Sequence, residues 1–315
     1  DVDAALWIGD VGISGINAVA QILVGDVNPS GSLVDTYCYD NYSAPAMWNF
    51  TPSVYDGYVE GGDVPAKGST YMIYQEGIYV GYKYYETRYE DYVMGAGNAG
   101  DYAYGDIVAY PFGYGLSYTD FKFSDMTVNY NDALDVYTVA VKVTNTGAVA
   151  GKRTVQLYVQ SPYTDYDKQN GVEKAAVALV GFGKTGELAP GTSEIVTMNV
   201  NKRDIASYDT YGAGTYILDA GDYYFTAAND AHEAVNNILA AKGYTVASTN
   251  GKMTADGDAD LTYAWTEDKL DTTTYSVSEN GTAITNQLSC ADPNLYEGIE
   301  ETVTWLSRSD WNGTL

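Results

Sequence analysis

The chemistry open to this chain is limited first by its histidine and cysteine content. It has 315 residues with a single histidine, His232, and two cysteines, Cys38 and Cys290. One histidine excludes a histidine-rich metal site and leaves one candidate base for a Ser-His-Asp triad. Two cysteines far apart in sequence make neither a zinc site nor a disulfide framework, and whether they form one disulfide stays open. We expect His232 to be a surface or helix-cap residue, because no nucleophile is identifiable to pair with it.

Carboxylates are abundant instead. The chain has 42 acidic and 16 basic residues, for a formal net charge of -26. Such a surface repels nucleic-acid phosphates and anionic lipids, so we expect neither as a partner. Asp256–Asp260, with Glu267 at the twelfth place, imitates a calcium loop, but Leu261 occupies the sixth position, where a glycine is needed. That departure favours a solvated acidic turn, and we expect no metal or cofactor.

The first 25 residues predict a strand, a turn and a helix, the repeating unit of an α/β layer. Residues 3–9 are typical of the end of a buried strand. Ser14 is the expected N-cap, Gly25 ends the helix, and the apolar positions between them share one face: Ile16, Val19, Ala20 and Leu23. Leu33 to Tyr37 is expected to enter another short strand. Because the chain lacks a starting Met and opens inside an element, we expect it to be part of a longer polypeptide.

Later periodicities predict an all-β unit. Residues 74–86 alternate Ile78, Val80, Tyr82 and Tyr84 on one face, which predicts a strand. From 121 to about 229, alternating segments such as 137–143, 155–159 and 196–200 are separated by turn signals, which indicates a sandwich of about seven short strands. No run of 18 apolar residues is present, so we expect no membrane insertion.

A further helix and strands are expected after the sandwich. Asp230 is the predicted cap of a helix with Glu233 three residues on, and Val235, Ile238, Leu239 and Lys242 share one face before Gly243. Beyond it we expect strands around 261–265, 273–277 and 302–306.

Four motif blocks resemble glycoside hydrolase family 3. Residues 111–119 match the family's P-F-G-x-G-L-S-Y-T signature, and 25–33 resemble its G-D-V-N-P-S-G segment. Residues 76–85 resemble E-G-I-x-V-G-Y-R-Y, with Lys83 where Arg is more usual, which puts a bidentate carboxylate clamp in doubt. The phrases V-T-N-T-G at 143–147 and L-A-P-G at 188–191 resemble the family's fibronectin type III-like domain.

The resemblance implies an α/β plus all-β chain in three parts. Residues 1–120 are the C-terminal part of an α/β sandwich domain with its joint, and 121–229 are a fibronectin type III-like β-sandwich. Residues 230–315 form a mixed helix-and-strand extension. Because ordinary members end near the sandwich, this extension resembles the domain-inverted subgroup, whose (β/α)8 barrel follows the sandwich and is absent here.

By the same resemblance, the chain is the non-barrel part of a retaining hydrolase of β-linked glucosides or related oligosaccharides. Such enzymes need a carboxylate nucleophile and a carboxylic acid/base. Asp310 in S-D-W resembles the core of the nucleophile motif, and Glu60 superficially resembles the acid/base loop. The polar residues preceding Asp310 favour a linker, and Glu60 lies after rather than before the 25–33 block. We therefore assign no catalytic residue, with Asp310 and Glu60 as weak candidates, and expect no activity from the chain alone.

Partners and location follow from this interpretation. The expected partners are the family's barrel, in cis or as a separate chain, and a carbohydrate. Tyr74, Glu76, Tyr79 and Tyr82 are candidates for a sugar subsite, although packing between domains explains the same residues. We expect a secreted or cell-surface bacterial protein. The alternative is a non-catalytic extracellular binding or assembly protein that reuses these domains.

Overall fold

The computed structural model describes residues 3–51, 53–54, 70–292, 294 and 303–312. The first 120 residues contain short elements and one long helix. Their bounds, in chain order, are Ile16–Leu23 (α1), Tyr37–Cys38 (β1), Pro45–Trp48 (α2), Ser53–Val54 (β2), Thr70–Tyr71 (β3), Tyr82–Met94 (α3), Tyr104–Ile107 (α4) and Val108–Tyr110 (β4). Strand β1 pairs with β4, and β2 with β3, both antiparallel.

The rest of the chain carries the sandwich and a helix. The elements are Phe121–Asn131 (β5), Val136–Asn145 (β6), Thr154–Gln160 (β7), Asp165–Asn170 (α5), Ala178–Lys184 (β8), Ser193–Asn201 (β9), Ser207–Asp209 (β10), Thr215–Ile217 (β11), Gly221–Ala228 (β12), Ala231–Ala241 (α6) and Thr262–Glu267 (β13). One sheet has the order β5-β6-β9 and the other β13-β12-β7-β8. The predicted all-β segment therefore forms, and β13 extends its second sheet.

The alternating residues of the sandwich close its core. Val139, Val141 and Val143 of β6 are fully buried, and they share a core with Leu157 of β7 and Phe225 of β12. Strand β7 is buried on its other face as well, where Tyr158 packs in a second core with α3 and α6. This second core joins the helices to the outer face of the β7 sheet.

The predicted strand at 74–86 is wrong, because the structure forms helix α3 over Tyr82–Met94. Gly81 has φ +56°, which breaks the extended chain, and Gly95 ends the helix in the left-handed conformation. Tyr84, Tyr85 and Glu86 are buried in succession, a pattern that suits a helix enclosed on several sides and not an alternating strand. Burial against the second core outweighs the weak helix propensity of tyrosine.

The first 25 residues are predicted only in part. Helix α1 forms and Gly25 follows it with φ +83°, but the N-cap is Gly15 without a side-chain bond, not Ser14. No residue of α1 is buried. Residues 3–9 form no strand, and no described strand pairs with them. The backbone of a strand needs a neighbour to satisfy its hydrogen bonds, so the apolar sequence alone does not make one.

The extension after the sandwich also differs from expectation. Helix α6 and strand β13 form as predicted, and the Asp230 side chain accepts the Glu233 backbone N–H at 2.8 Å. Residues 273–277 form no strand, because Asp271 Oδ1 accepts the N–H groups of Thr273 and Thr274 in a local turn. The described residues 303–306 are not a strand either: the backbone of Val303 bonds to the Asn294 side chain instead.

Candidate functional site

Two of the family-like blocks meet at one asparagine. Asn28 Oδ1 accepts hydrogen bonds from Ser117 Oγ at 2.9 Å and from the Tyr118 backbone N–H at 2.8 Å. Its Nδ2 donates to the Ala150 carbonyl at 3.0 Å. One side chain thus ties the turn at 25–33 to the segment at 111–119 and to the sandwich. These blocks form a joint between the α/β segment and the sandwich.

Gly113 is required at this joint by its conformation and by its neighbour. It has φ +90°, and a Cβ there would lie 2.3 Å from Gln156 Oε1. Gln156 Nε2 donates to the Gly113 carbonyl at 3.1 Å and to the Asn229 carbonyl at 2.5 Å. The glycine therefore lets the 111–119 segment approach β7 closely enough for this amide to bridge it to the start of α6.

A charged cleft lies beside α3. Glu90 is buried, and its carboxylate binds Lys242 Nζ at 2.8 Å, Gln160 Nε2 at 2.9 Å and Arg308 Nη2 at 2.7 Å. Those partners come from the end of α6, the end of β7 and the C-terminal part of the chain. The adjoining cavity has a volume of about 440 Å³, and Tyr163 and Tyr224 contribute to its walls.

Arg308 is buried against two carboxylates. Its Nε and Nη2 donate to Asp91 Oδ1 at 2.9 and 2.6 Å, and Nη1 donates to the Lys174 carbonyl at 3.3 Å. Trp311 Nε1 donates to the other oxygen of Asp91 at 3.0 Å. With Lys242, the cleft thus holds two cations opposite Glu90 and Asp91.

The electrostatics keep Glu90 and Arg308 ionised, whereas burial raises the pKa of Asp91. Burial acts to raise the pKa of Glu90, but the Lys242 and Arg308 cations outweigh it and lower that pKa to about 2. Burial acts to lower the pKa of Arg308, and the Glu90 and Asp91 carboxylates raise it above its ordinary value. A carboxylate with so low a pKa holds charge well and is a poor proton donor at neutral pH. The cleft therefore suits charge pairing rather than acid catalysis.

The four predicted subsite residues point in different directions. Tyr74 is 69% exposed, whereas Glu76 and Tyr79 are buried. The Tyr79 hydroxyl donates to Glu173 Oε2 at 2.5 Å. Tyr82 stacks on Phe112 with ring centroids 4.7 Å apart, and its hydroxyl accepts the Leu179 backbone N–H. The structure therefore leaves Tyr74 as the ring among them that is mostly open to solvent.

Of the two weak catalytic candidates, the structure describes Asp310 but not Glu60. Asp310 is exposed, and its Oδ1 accepts the Asn312 backbone N–H at 2.9 Å in a local turn. Glu60 lies outside the described residues.

His232 is not the surface or cap residue that the sequence suggested. Its Nδ1 lies 2.8 Å from the fully buried Glu86 carboxylate, and its Nε2 lies 2.6 Å from Thr254 Oγ1. Its ring stacks on Tyr104 at 3.7 Å. The prediction failed because Glu86 is 146 residues away in sequence and lies in the helix that was taken for a strand.

The calcium-like residues have other partners. Asp256 accepts the Val246 backbone N–H, Asp258 accepts that of Asp260, and Glu267 binds Lys202 Nζ at 2.6 Å. Cys38 and Cys290 are both free thiols. In the part of the chain that the structure describes, no group of three or more His, Cys, Asp or Glu residues is arranged to hold a metal ion. No helix among these residues has the length and apolar character needed to cross a bilayer.

Sequence reasoning missed Glu90, Asp91, Lys242 and Arg308. The Arg308 contacts with α3 span 217 and 218 residues. No local period reports such contacts, and an Arg in the run Leu306 to Trp311 carries no signal by itself of being buried.

The fold defines the class of protein: an α/β segment is followed by a fibronectin type III-like sandwich. Contacts made by glycine and asparagine residues hold the two parts together at the joint. Residues 1–82 match the glycosyl hydrolase family 3 C-terminal domain, and residues 153–231 match the fibronectin type III-like domain. The chain belongs to glycosyl hydrolase family 3, as these two matches in this order and the relatives below show.

Several relatives with this similarity are named β-glucosidases, and one, 31% identical over 260 residues, is the exo-α-(1→6)-L-arabinopyranosidase of Bifidobacterium breve. The chain is 35% identical over 236 residues to the β-glucosidase of Ruminococcus albus, covering 74% of this chain and 21% of that protein. It is 31% identical over 263 residues to thermostable β-glucosidase B of Acetivibrio thermocellus, covering 80% of this chain and 29% of that one. The chain therefore spans less than a third of the length of these relatives.

Solved structures agree on the fold. The structure of β-glucosidase 3B from Thermotoga neapolitana in complex with α-D-glucose matches with a TM-score of 0.53 and 27% identity, covering 80% of this chain and 26% of that one. The β-glucosidase from Paenibacillus barengoltzii matches with a TM-score of 0.53 and 36% identity, covering 69% of this chain and 20% of that one.

Proposed function

We propose that this chain is the supporting, non-barrel part of a retaining family 3 glycoside hydrolase that acts on β-linked glucosides or related oligosaccharides. The observation that carries the proposal is the order of the two family matches. It is supported by relatives named β-glucosidase whose alignments cover most of this chain. In this proposal a (β/α)8 barrel, in cis or as a separate chain, supplies the reactive carboxylates. The inverted order, with the barrel after the sandwich, stays a prediction that the two family matches do not test.

The chemistry of the α3 cleft favours a structural role for its carboxylates over a catalytic one. Retaining hydrolysis requires two carboxyl groups about 5–5.5 Å apart, one of which must be protonated to act as acid. Glu90 and Asp91 are adjacent, but both are bound to Arg308, and the pKa of Glu90 is about 2. These two carboxylates are occupied in holding the fold.

Tyr74 is the best of the four subsite candidates. Its ring is exposed, and an exposed tyrosine ring can stack on a sugar. We propose that Tyr79 and Tyr82 act indirectly, by packing the segment that carries it. In the complete enzyme, Tyr74→Ala should raise KM with kcat little changed, whereas Tyr216→Ala on β11 should change neither.

The experiment that tests the proposal uses the complete natural polypeptide that contains this sequence. We expect it to hydrolyse a chromogenic β-glucoside, and we expect Asp310→Asn and Glu60→Gln to keep activity within about tenfold of the parent. A thousand-fold loss of kcat in either variant would move a catalytic residue into this chain. A complete polypeptide without glycosidase activity on any β-glucoside would favour the binding or assembly alternative.

We also propose that the protein is bacterial and is secreted or held at the cell surface. Antibody detection of the protein in culture medium or on intact cells tests this location. Detection only inside the cell would contradict it.

A further inference from the structure

The C-terminal described residues are docked on α3 and include a turn at 308–310. We call residues 303–312 the tail segment. Leu306 donates its backbone N–H to the Gln75 carbonyl at 2.8 Å, and its side chain is 1% exposed. The contacts of Arg308 and Trp311 follow within five residues. The segment has no strand or helix of its own. Its path is set by these contacts together with a turn in which the Trp311 N–H donates to the Ser307 carbonyl at 2.6 Å.

The tail segment contributes one cation, which its binding surface matches. Arg308 lies between Glu90 and Asp91, and Lys242 provides the second cation for Glu90. Without Arg308, two buried carboxylates would face one lysine. The surface is therefore complementary to a guanidinium, whose planar fork reaches both acids at once.

Trp311 occupies an aromatic pocket next to the Arg308 site. Its ring lies 5.1 Å from Tyr79 and 5.7 Å from Tyr84, and the Arg88 guanidinium lies 5.1 Å from it. The indole N–H is bound by Asp91. This pocket suits a tryptophan because it offers rings, a cation and an acceptor for one N–H.

The backbone of the tail segment is bound as well. Glu173 accepts Ser307 Oγ at 2.7 Å and the Arg308 N–H at 2.9 Å. Gly97, with φ +59°, leaves room for the segment, since a Cβ there would lie 2.9 Å from the Arg308 carbonyl oxygen. The surface thus recognises side chains and backbone together.

We propose that this surface, formed by Glu90, Asp91, Gly97 and Glu173 with the aromatic pocket, is a peptide-docking site for a Ser-Arg-x-x-Trp segment. The tail segment is its occupant. Arginine and tryptophan three residues apart are the two anchors, and they fix the direction in which the chain leaves α3. The proposal does not depend on the enzymatic activity of the complete protein.

Hydrogen–deuterium exchange of the full chain tests the two anchors. The two variants are Arg308→Met and Trp311→Ala. In each of them, we expect the backbone amides at positions 306, 308 and 311 to exchange at least tenfold faster than in the wild type. The amides of β6 should keep their wild-type rates. Arg203→Met, on the sandwich surface, is the matched control and should leave the tail segment unchanged. Wild-type exchange of these amides in the first two variants would overturn the proposal, and so would an equal acceleration in β6.

Two further measurements cover a failure to fold. Trp311→Phe keeps an aromatic ring in the pocket but loses the N–H bound by Asp91 and part of the ring area, so we expect a smaller acceleration than in Trp311→Ala, confined to the tail segment. A synthetic peptide of residues 303–312, added in excess to the Arg308→Met/Trp311→Ala chain, should slow exchange in α3. The same peptide carrying both substitutions should not. Equal effects of the two peptides, or no effect of either, would contradict recognition.

Discussion

At the scale of single residues, Asn28 is the contact on which the joint between the two parts depends. Its side chain makes three hydrogen bonds to two other segments. We expect Asn28→Ala to lower the free energy of unfolding by about 2 kcal/mol, because it leaves partly buried donors and acceptors without partners. Asn28→Asp keeps both accepted bonds and should cost less. Urea denaturation measures both values.

A matched control is Asn286→Ala, which removes only a local bond to the Leu288 N–H in an exposed loop. It should change the free energy of unfolding by less than about 0.5 kcal/mol. Equal effects of Asn28→Ala and Asn286→Ala would mean that the joint contributes nothing beyond a surface turn.

We expect Asp167 to make the stability of the fold depend on pH. It lies near Lys174 and Asp219, and burial raises its pKa to about 6 although Lys174 opposes the shift. An unfolded aspartate titrates near pH 4, so the folded state holds the proton more tightly. The contribution of this group is therefore full below about pH 4 and is lost as the pH rises through about 6.

We compare the free energy of unfolding of the wild type with that of Asp167→Asn. The wild-type value minus the variant value should be about 1–2 kcal/mol lower at pH 7 than at pH 4. Asp165 lies in the same helix but is exposed, so the free energy of unfolding of Asp165→Asn should change with pH as that of the wild type does. Urea denaturation across this pH range gives the curves. A wild-type curve parallel to that of Asp167→Asn would show that Asp167 ionises as easily in the fold as in the unfolded chain.

At the scale of elements, α3 and α6 are joined by a buried carboxylate and the single histidine. Glu86 accepts the Tyr104 hydroxyl and lies 2.8 Å from His232 Nδ1. We expect His232→Ala and Glu86→Gln each to destabilise the fold by about 2 kcal/mol, since each disrupts a buried polar network. The double variant should lose at least about 0.5 kcal/mol less than the sum of the two.

Thermal or urea unfolding of the four proteins in this cycle measures the coupling. Lys202→Met is a useful comparison, because its pair with Glu267 lies on the sandwich, away from the two helices. Additive losses for His232 and Glu86 would mean that the contact between them does not couple α3 to α6.

Elements also show where sequence periodicity succeeds and where it fails. Tyr137 to Val143 alternates because β6 has one buried face and one partly exposed face, so its pattern predicts its structure. Helix α3 is enclosed by α6, the β7 sheet and the tail segment, so polar and aromatic residues alike are buried. A segment buried on most sides has no exposed face to give it a period, and its type cannot be read locally.

At the scale of the whole molecule, the family-like blocks predicted the joint, while the α3 cleft could not be predicted. The blocks are contiguous in sequence, and Gly113 and Asn28 occupy the joint in the structure. The cleft is assembled from α3, β7, α6 and the tail segment, and its ion pairs appear only once these are folded together. Long-range charge pairing of this kind leaves no mark on spacing.

We propose that this chain supports a sugar-cleaving enzyme whose reactive carboxylates lie on other polypeptide. The most direct measurement is hydrolysis of a chromogenic β-glucoside by the purified chain, beside the complete polypeptide at equal concentration. We expect no turnover above buffer for the chain and clear turnover for the complete polypeptide. Turnover by the chain itself, abolished by substitution of one of its own carboxylates, would show that a reactive carboxylate lies within it.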